Sequence, residues 1–235
     1  MPFRLRTLST IAWRRVAACA LAAAVATTLA GPPACSRADE PALIRPQDDG
    51  RWTLLDTHFA LAEEWAPRDL TSLRRAGFDD DRLVRAVVVP DLRALREAAE
   101  AAGIRFEIQS AYRSFAYQAA TFASWAERDG YQAALASSAR AGHSEHQLGT
   151  VLDLRSRGGP APWDLADWAI TAEGAWLRQN AWRFGFVMSY PPGAKERSCY
   201  IYEPWHWRWV GRELAAELRD TGRTLRERLW EENHE

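Results

Sequence analysis

An α+β fold, a small antiparallel sheet flanked by helices, is what this 235-residue sequence predicts. Three observations carry that expectation. Segments of helical period and of strand period follow one another without the regular alternation of a parallel sheet. "IRFEIQS" sets Ile104, Phe106 and Ile108 against Arg105, Glu107 and Gln109, the period of a half-buried strand. No internal repeat or low-complexity tract follows the N-terminal segment, so one ordinary core has to be built.

The elements follow in order. Residues 39–50 ("DEPALIRPQDDG") are polar and proline-bearing, as a linker is. Arg51 to Arg85 is mixed, with one short helix expected around Leu61. "PDLRALREAAEAAG" reads as a helix begun by Pro90 and Asp91, with Leu92, Leu95 and Ala98 on one face and Gly103 at its end. Ser114 caps a second helix in "SFAYQAATFASWAERDG", and "YQAALASSARAG" makes a third, ended by Gly142. "TVLDL" is a strand, Trp163 to Trp168 a turn or short helix, and "EGAWLRQNAWRFG" an amphipathic helix closed by Gly185. "FVMSY" is a strand stopped by Pro191 and Pro192. "CYIYEPWHWRWVG" holds a last strand interrupted by Pro204. "RELAAELRDTGRTLRERLW" is helix, a break near Gly222, and helix, with Arg226, Glu227 and Arg228 expected on a solvated face.

Composition narrows the function. A basic start (Arg4, Arg6, Arg14, Arg15) followed by the alanine-rich run Val16–Ala30 has the form of a secretory leader, too short for a confident membrane span. Cleavage is expected after Ala30 or Ala38, and "PPAC" raises a lipid anchor on Cys35. The formal net charge of −1 argues against a nucleic-acid binder. Three cysteines, Cys19, Cys35 and Cys199, write no disulfide framework.

"GHSEHQLGTVLDL" poses the chemical question, because Asp153 sits inside an apolar strand. A buried carboxylate has to be compensated, and a metal would do so. His146 and Asp153 supply two ligands of a kind zinc accepts, and a catalytic zinc keeps three protein ligands and an open position. His206, in "YEPWHWRWVG", is the best placed third, since Pro204 bends the chain between it and Glu203. Glu203 is then a candidate proton carrier and Arg113, in "SAYRSF", a candidate cation for developing negative charge. His143 is expected to face solvent or to back the metal ligands, and His58 and His234 to lie at the surface. Trp205, Trp207 and Trp209 alternate on one strand face, either as core or as a platform beside the metal. The spacing of His146 and Asp153, six residues between them, is by itself more often coincidence than a metal site.

Three blocks in order, "SAYRSFAYQ", "GHSEHQLGTVLDL" and "YEPWHWRWVG", resemble the VanY-type D-alanyl-D-alanine carboxypeptidases, zinc peptidases of bacterial cell walls. The resemblance runs from about Pro90 to Gly211 and includes "WLRQNAWRFGFVMSYPPGAKE". It implies zinc on His146, Asp153 and His206, Glu203 as catalytic base, and Arg113 on the substrate. It places Gln118 and Ser144 near the cleft, with Ser144 in contact with substrate. The expected layout is a leader over 1–38, an N-terminal extension over 39–89 and a zinc peptidase domain over 90–235. The expected partner is the peptidoglycan stem peptide, the expected location the cell envelope outside the cytoplasm. Three departures bear on specificity: Gly149-Thr150-Val151 for Gly-Leu-Ala, Ser189 for an arginine, and Ser198-Cys199 for Thr-Gly. Loss of the arginine at 189 is expected to remove a contact to a peptide carboxylate or a diaminopimelate branch. An L,D-carboxypeptidase, a cross-link endopeptidase and a non-catalytic wall-binding module remain as alternatives.

Overall fold

The structure, a computed structural model, describes residue 1 and residues 34–35, 41–46 and 50–232. Along the chain run β1 (Ala42–Ile44), β2 (Phe59–Leu61), β3 (Leu70–Ser72), β4 (Leu83–Arg85), α1 (Val89–Ala101) and β5 (Phe106–Ser110). Then come α2 (Phe115–Asp129), α3 (Tyr131–Ser137), β6 (Val151–Ser156), α4 (Ala172–Asn180) and β7 (Phe186–Met188). The last are α5 (Lys195–Ser198), β8 (His206–Trp209), α6 (Arg212–Thr221) and α7 (Leu225–Glu232). Strands β5, β6, β8 and β7 form, in that order, a four-stranded antiparallel sheet. The pairs β1–β2 and β3–β4 stand apart as two-stranded ribbons.

Alternation decides what each face of the sheet carries. Leu152 and Leu154 of β6, Trp207 and Trp209 of β8, and Phe106 and Ile108 of β5 all enter the main core. Leu92 and Leu95 of α1 and the fully buried Trp168 close that core from the other side. Each leucine buried so completely stabilises the fold by about 1.5–3 kcal/mol relative to exposure. The opposite face carries Asp153 from β6 and His206 and Arg208 from β8, all buried. A second apolar cluster joins Leu54 and Val187 to Leu214, Leu218, Leu225 and Leu229 of α6 and α7. Gly31–Glu235 makes one compact unit.

Several expectations are corrected. The segment around Leu61 is not helical; β2 pairs in parallel with β1, and the Leu61 N–H donates to the Gly142 carbonyl at 2.9 Å. α3 stops at Ser137 because Ser138 turns extended. Arg226 is buried and paired with buried Asp56 at 2.6 Å, so the α7 face is not merely solvated. A disulfide joins Cys35 to Cys199 across 164 residues of sequence. Nothing in the spacing of two cysteines so far apart could indicate that bond; folding alone brings them together. The leader expected over 1–38 lies outside the described residues except for Met1, Ala34 and Cys35, and so does His234. No helix among the described residues is long and apolar enough to cross a membrane.

Candidate metal centre and cleft

Register places the first two candidate ligands. Asp153 of β6 stands directly opposite His206 of β8, so both side chains leave the sheet on one face. His146 arrives from a tight 3-10 turn, Glu145–Leu148, whose start is capped by the Ser144 hydroxyl accepting from the His146 N–H at 3.3 Å. Gly149 ends that turn at φ 72°, and a Cβ there would lie 2.9 Å from Arg85 Cγ. A side chain is therefore excluded both by the left-handed backbone and by space. Glu203 is delivered by a second turn, in which the His206 N–H donates to the Glu203 carbonyl at 3.2 Å. The Trp207 indole N–H donates to the Pro204 carbonyl at 3.0 Å and holds the bend.

The geometry is that of a metal centre. One donor atom from each of His146, Asp153 and His206 lies within 4.8 Å of the others, and all three residues are buried. His146 Nε2 is 3.2 Å from Asp153 Oδ2, and His206 Nδ1 is 3.2 Å from Asp153 Oδ1. Yet His146 Nε2 and Asp153 Oδ1 have no hydrogen-bond partner among the described residues. Buried polar atoms rarely stay unsatisfied. Lone pairs that converge without hydrogen bonding to one another fit a cation among them, and the two-nitrogen, one-oxygen donor set fits zinc. The His146 Nδ1–H donates to the Ala111 carbonyl at 2.7 Å, which leaves Nε2 as the free donor atom of the neutral ring.

Electrostatics agree. Burial pushes the Asp153 carboxyl up, but His146 and His206 outweigh it and hold the group well below the usual range. Burial and the Arg113 charge bring His146 down to about 4, so the ring is neutral. Burial opposes a charge on His206, but the carboxylates of Asp153 and Glu145 beside it win and raise it to about 10. Burial raises Glu203 to about 8, against the opposing pull of His206. A cation held by the same atoms would replace the proton on His206 and draw Glu203 back down.

The candidates from sequence meet in one cleft of about 520 Å³. Glu203 Oε2 is 3.5 Å from His206 Nδ1. Arg113 Nη2 is 4.0 Å from Asp153 Oδ2, and Arg113 Nε has no partner among the described residues. Gln118 is buried; its amide donates to the Ala139 carbonyl at 2.7 Å, and its Oε1 is unpartnered. Ser144 lines the same cleft. His143 is buried, not solvent-facing, with Nδ1 2.7 Å from the Asp56 carbonyl. Trp207 and Trp209 belong to the core, whereas half-buried Trp205 lines the cleft beside Trp163. Ser189 is elsewhere than expected: it is buried behind the metal cluster and donates to Glu145 Oε2 at 2.6 Å.

Sequence reading missed Arg208 and Glu145. Glu145 Oε2 accepts from His206 Nε2 at 3.0 Å, and Glu145 Oε1 accepts from Arg208 Nη1 at 2.7 Å. Arg208 and His206 are two apart on β8 and share a face, so the period of the strand could have signalled the first. An acid within the His146 turn, bound to be buried with it, was the signal for the second.

A sheet-borne His–Asp–His cluster, open to a cleft and flanked by a carboxylate, defines the class: a zinc-peptidase type of centre. The sequence model of the VanY family, D-alanyl-D-alanine carboxypeptidase, matches residues 81–212, and the chain belongs to that family. It is 32% identical over 178 residues to a putative carboxypeptidase, YodJ, of Bacillus subtilis (strain 168), covering 74% of this chain and 65% of that protein. It is 34% identical over 122 residues to a D-alanyl-D-alanine carboxypeptidase of Enterococcus faecium, covering 52% of this chain and 35% of that one. The chain thus spans less than two thirds of the length of these curated relatives. Among solved structures, the LdcB LD-carboxypeptidase superposes with a TM-score of 0.69 at 28% identity, over 83% of this chain and 92% of that one. The vancomycin-resistance D,D-pentapeptidase VanY, an E175A mutant in complex with Zn(II), gives 0.65 at 26% identity, over 75% and 97%.

Proposed function

We propose that this protein is a zinc carboxypeptidase of peptidoglycan stem peptides that removes the C-terminal D-alanine of a D-alanyl-D-alanine end. The observation that carries the reading is Glu203, a buried carboxylate placed beside the cluster but 3.5 Å from His206 Nδ1. A module that only binds walls has no use for it. His146, Asp153 and His206 hold the zinc, which when bound supplies Lewis acidity and an activated water. Glu203 takes a proton from the attacking water and returns it to the departing amine. Arg113, with its planar fork turned to the cleft, holds the scissile carbonyl or the substrate carboxylate and stabilises the charge that develops there. Ser144 and Gln118 orient the peptide, Gln118 through its unpartnered Oε1.

A second reading, an L,D-carboxypeptidase acting on tetrapeptide stems, is favoured by the likeness to LdcB over 92% of that chain. Incubation of the purified protein with pentapeptide and tetrapeptide stems, followed by mass spectrometry, decides between them. Loss of one D-alanine from the pentapeptide supports the first reading. Cleavage confined to the tetrapeptide supports the second, and cleavage of neither refutes both.

The protein is exported in this reading. The Cys35–Cys199 bond supports it, because disulfides persist in oxidising compartments. The bond also bears on processing. A leader cut after Ala38 would discard Cys35, and a lipid on Cys35 would occupy its sulfur, so cleavage falls upstream, as after Ala30. Intact-mass measurement of exported protein checks this; a mature chain starting beyond Cys35 would refute it.

A further inference from the structure

The sheet face that carries the metal cluster holds a second polar group. Glu145 is 4% exposed and Arg208 is wholly buried. Each contact of the Glu145 carboxylate has a purpose. Oε2 accepts from His206 Nε2 at 3.0 Å and from the Ser189 hydroxyl at 2.6 Å, and Oε1 accepts from Arg208 Nη1 at 2.7 Å. Arg208 Nη2 donates in turn to the Arg51 and Thr53 carbonyls, each at 2.8 Å. The imidazole of His206 therefore has one nitrogen toward Asp153 and the cleft and the other fixed on Glu145.

We infer that Glu145 is the positioning residue for His206, and that Ser189, Arg208 and the carbonyls of Arg51 and Thr53 hold it in place. An imidazole can present Nδ1 to a cation only if its proton sits on Nε2, and Glu145 accepts that proton's hydrogen bond. An isolated carboxylate could not stay ionised at this depth; the Arg208 guanidinium compensates it. A lone guanidinium would be equally costly; Nη1 is taken by Glu145, and the backbone carbonyls of Arg51 and Thr53 take Nη2. This explains Ser189. Where an arginine would add a second cation against Glu145, a hydroxyl adds a hydrogen bond and leaves the carboxylate's charge to His206. The chain segment 51–53 thereby reaches the metal centre through two side chains, although it contributes no ligand.

The inference rests on His206 being a zinc ligand, and the test separates the two. Zinc dissociation constants are measured by chelator competition on the full-length protein, with the visible spectrum of the cobalt-substituted protein as a second readout. Outer partners of metal-bound histidines typically matter by about 10–100-fold in affinity. Glu145→Gln, which keeps shape and removes charge, should bind zinc about 10–100-fold more weakly and alter the cobalt spectrum. Should that variant not fold, Glu145→Asp decides: it keeps the charge beside Arg208 but draws the carboxylate back from His206, and the same weakening is expected. Ser189→Ala should weaken zinc by about two- to tenfold, the worth of one hydrogen bond. A folded Glu145 variant with unchanged zinc affinity and cobalt spectrum overturns the inference. If His206→Ala also binds zinc normally, the ligand reading falls with it; if His206→Ala loses zinc, only the positioning role is lost.

Discussion

Glu203 and Arg113 line the same cleft, and single substitutions should tell their proposed tasks apart. Glu203→Ala removes the proposed proton carrier without removing a proposed ligand. General acid–base help is typically worth about 10²–10⁴-fold, so turnover of a D-alanyl-D-alanine-ended peptide should fall at least about a hundredfold with zinc retained. Zinc content and turnover measured on one preparation check this. Loss of metal would make Glu203 a ligand, and unchanged turnover would remove it from the mechanism. Arg113→Lys keeps the charge but not the planar fork. Its kcat/KM should drop about tenfold or more, the loss of one charge-assisted hydrogen bond of about 1.5–3 kcal/mol. Steady-state kinetics showing full activity would reduce Arg113 to a generic cation.

At the scale of elements, the segment between β7 and β8 decides the shape of the cleft. It carries Tyr190, Tyr200 and Ile201 to the wall and Glu203 to the centre. Its anchor is Cys199, the only non-glycine residue with positive φ among those described. A left-handed backbone costs a residue with a Cβ roughly 1 kcal/mol, and the bond to Cys35 offsets it. Removing a native disulfide typically costs about 2–5 kcal/mol. For a chain of this size that lowers the melting temperature by about 4–20 °C. Cys35→Ser should show such a drop in differential scanning calorimetry, matched by wild-type protein under reductant. Cys35→Ser combined with Cys199→Gly should recover a part of it, because glycine accepts the backbone freely. Equal melting temperatures for oxidised and reduced protein would mean that the bond carries no stability.

For the whole molecule, the proposed zinc ligands would tie together two separated segments: the neighbouring turn and strand that carry His146 and Asp153, and β8 with His206. A ligand bound only by the folded state stabilises it by mass action. At free zinc a hundredfold above the dissociation constant the gain is about 2.7 kcal/mol, or roughly 5–11 °C in melting temperature for about 200 residues. Thermal melts with and without zinc, alongside metal analysis of protein purified without chelator, test this. No bound zinc and no gain on adding it would remove the ligand set.

The sequence by itself determined the local features. Alternation in "IRFEIQS" and "TVLDL" fixed strands, Ser114 and Pro90 fixed helix starts, and the three motif blocks marked His146, Asp153, His206, Glu203 and Arg113 as one constellation. These are properties of a few neighbouring residues, or of blocks whose order is preserved. Only the tertiary structure decided the rest. The Cys35–Cys199 bond spans 164 residues, Arg226 meets Asp56, and Arg208 meets the carbonyls of Arg51 and Thr53. Ser189 looked like a lost substrate contact, yet it supports Glu145 behind the metal cluster. Phe59–Leu61 is too short to show a period, so pairing with β1 and not local preference made it a strand. The common reason is that burial and charge compensation depend on partners brought together by the sheet register and chain packing, and no local pattern encodes which distant group will satisfy a buried one.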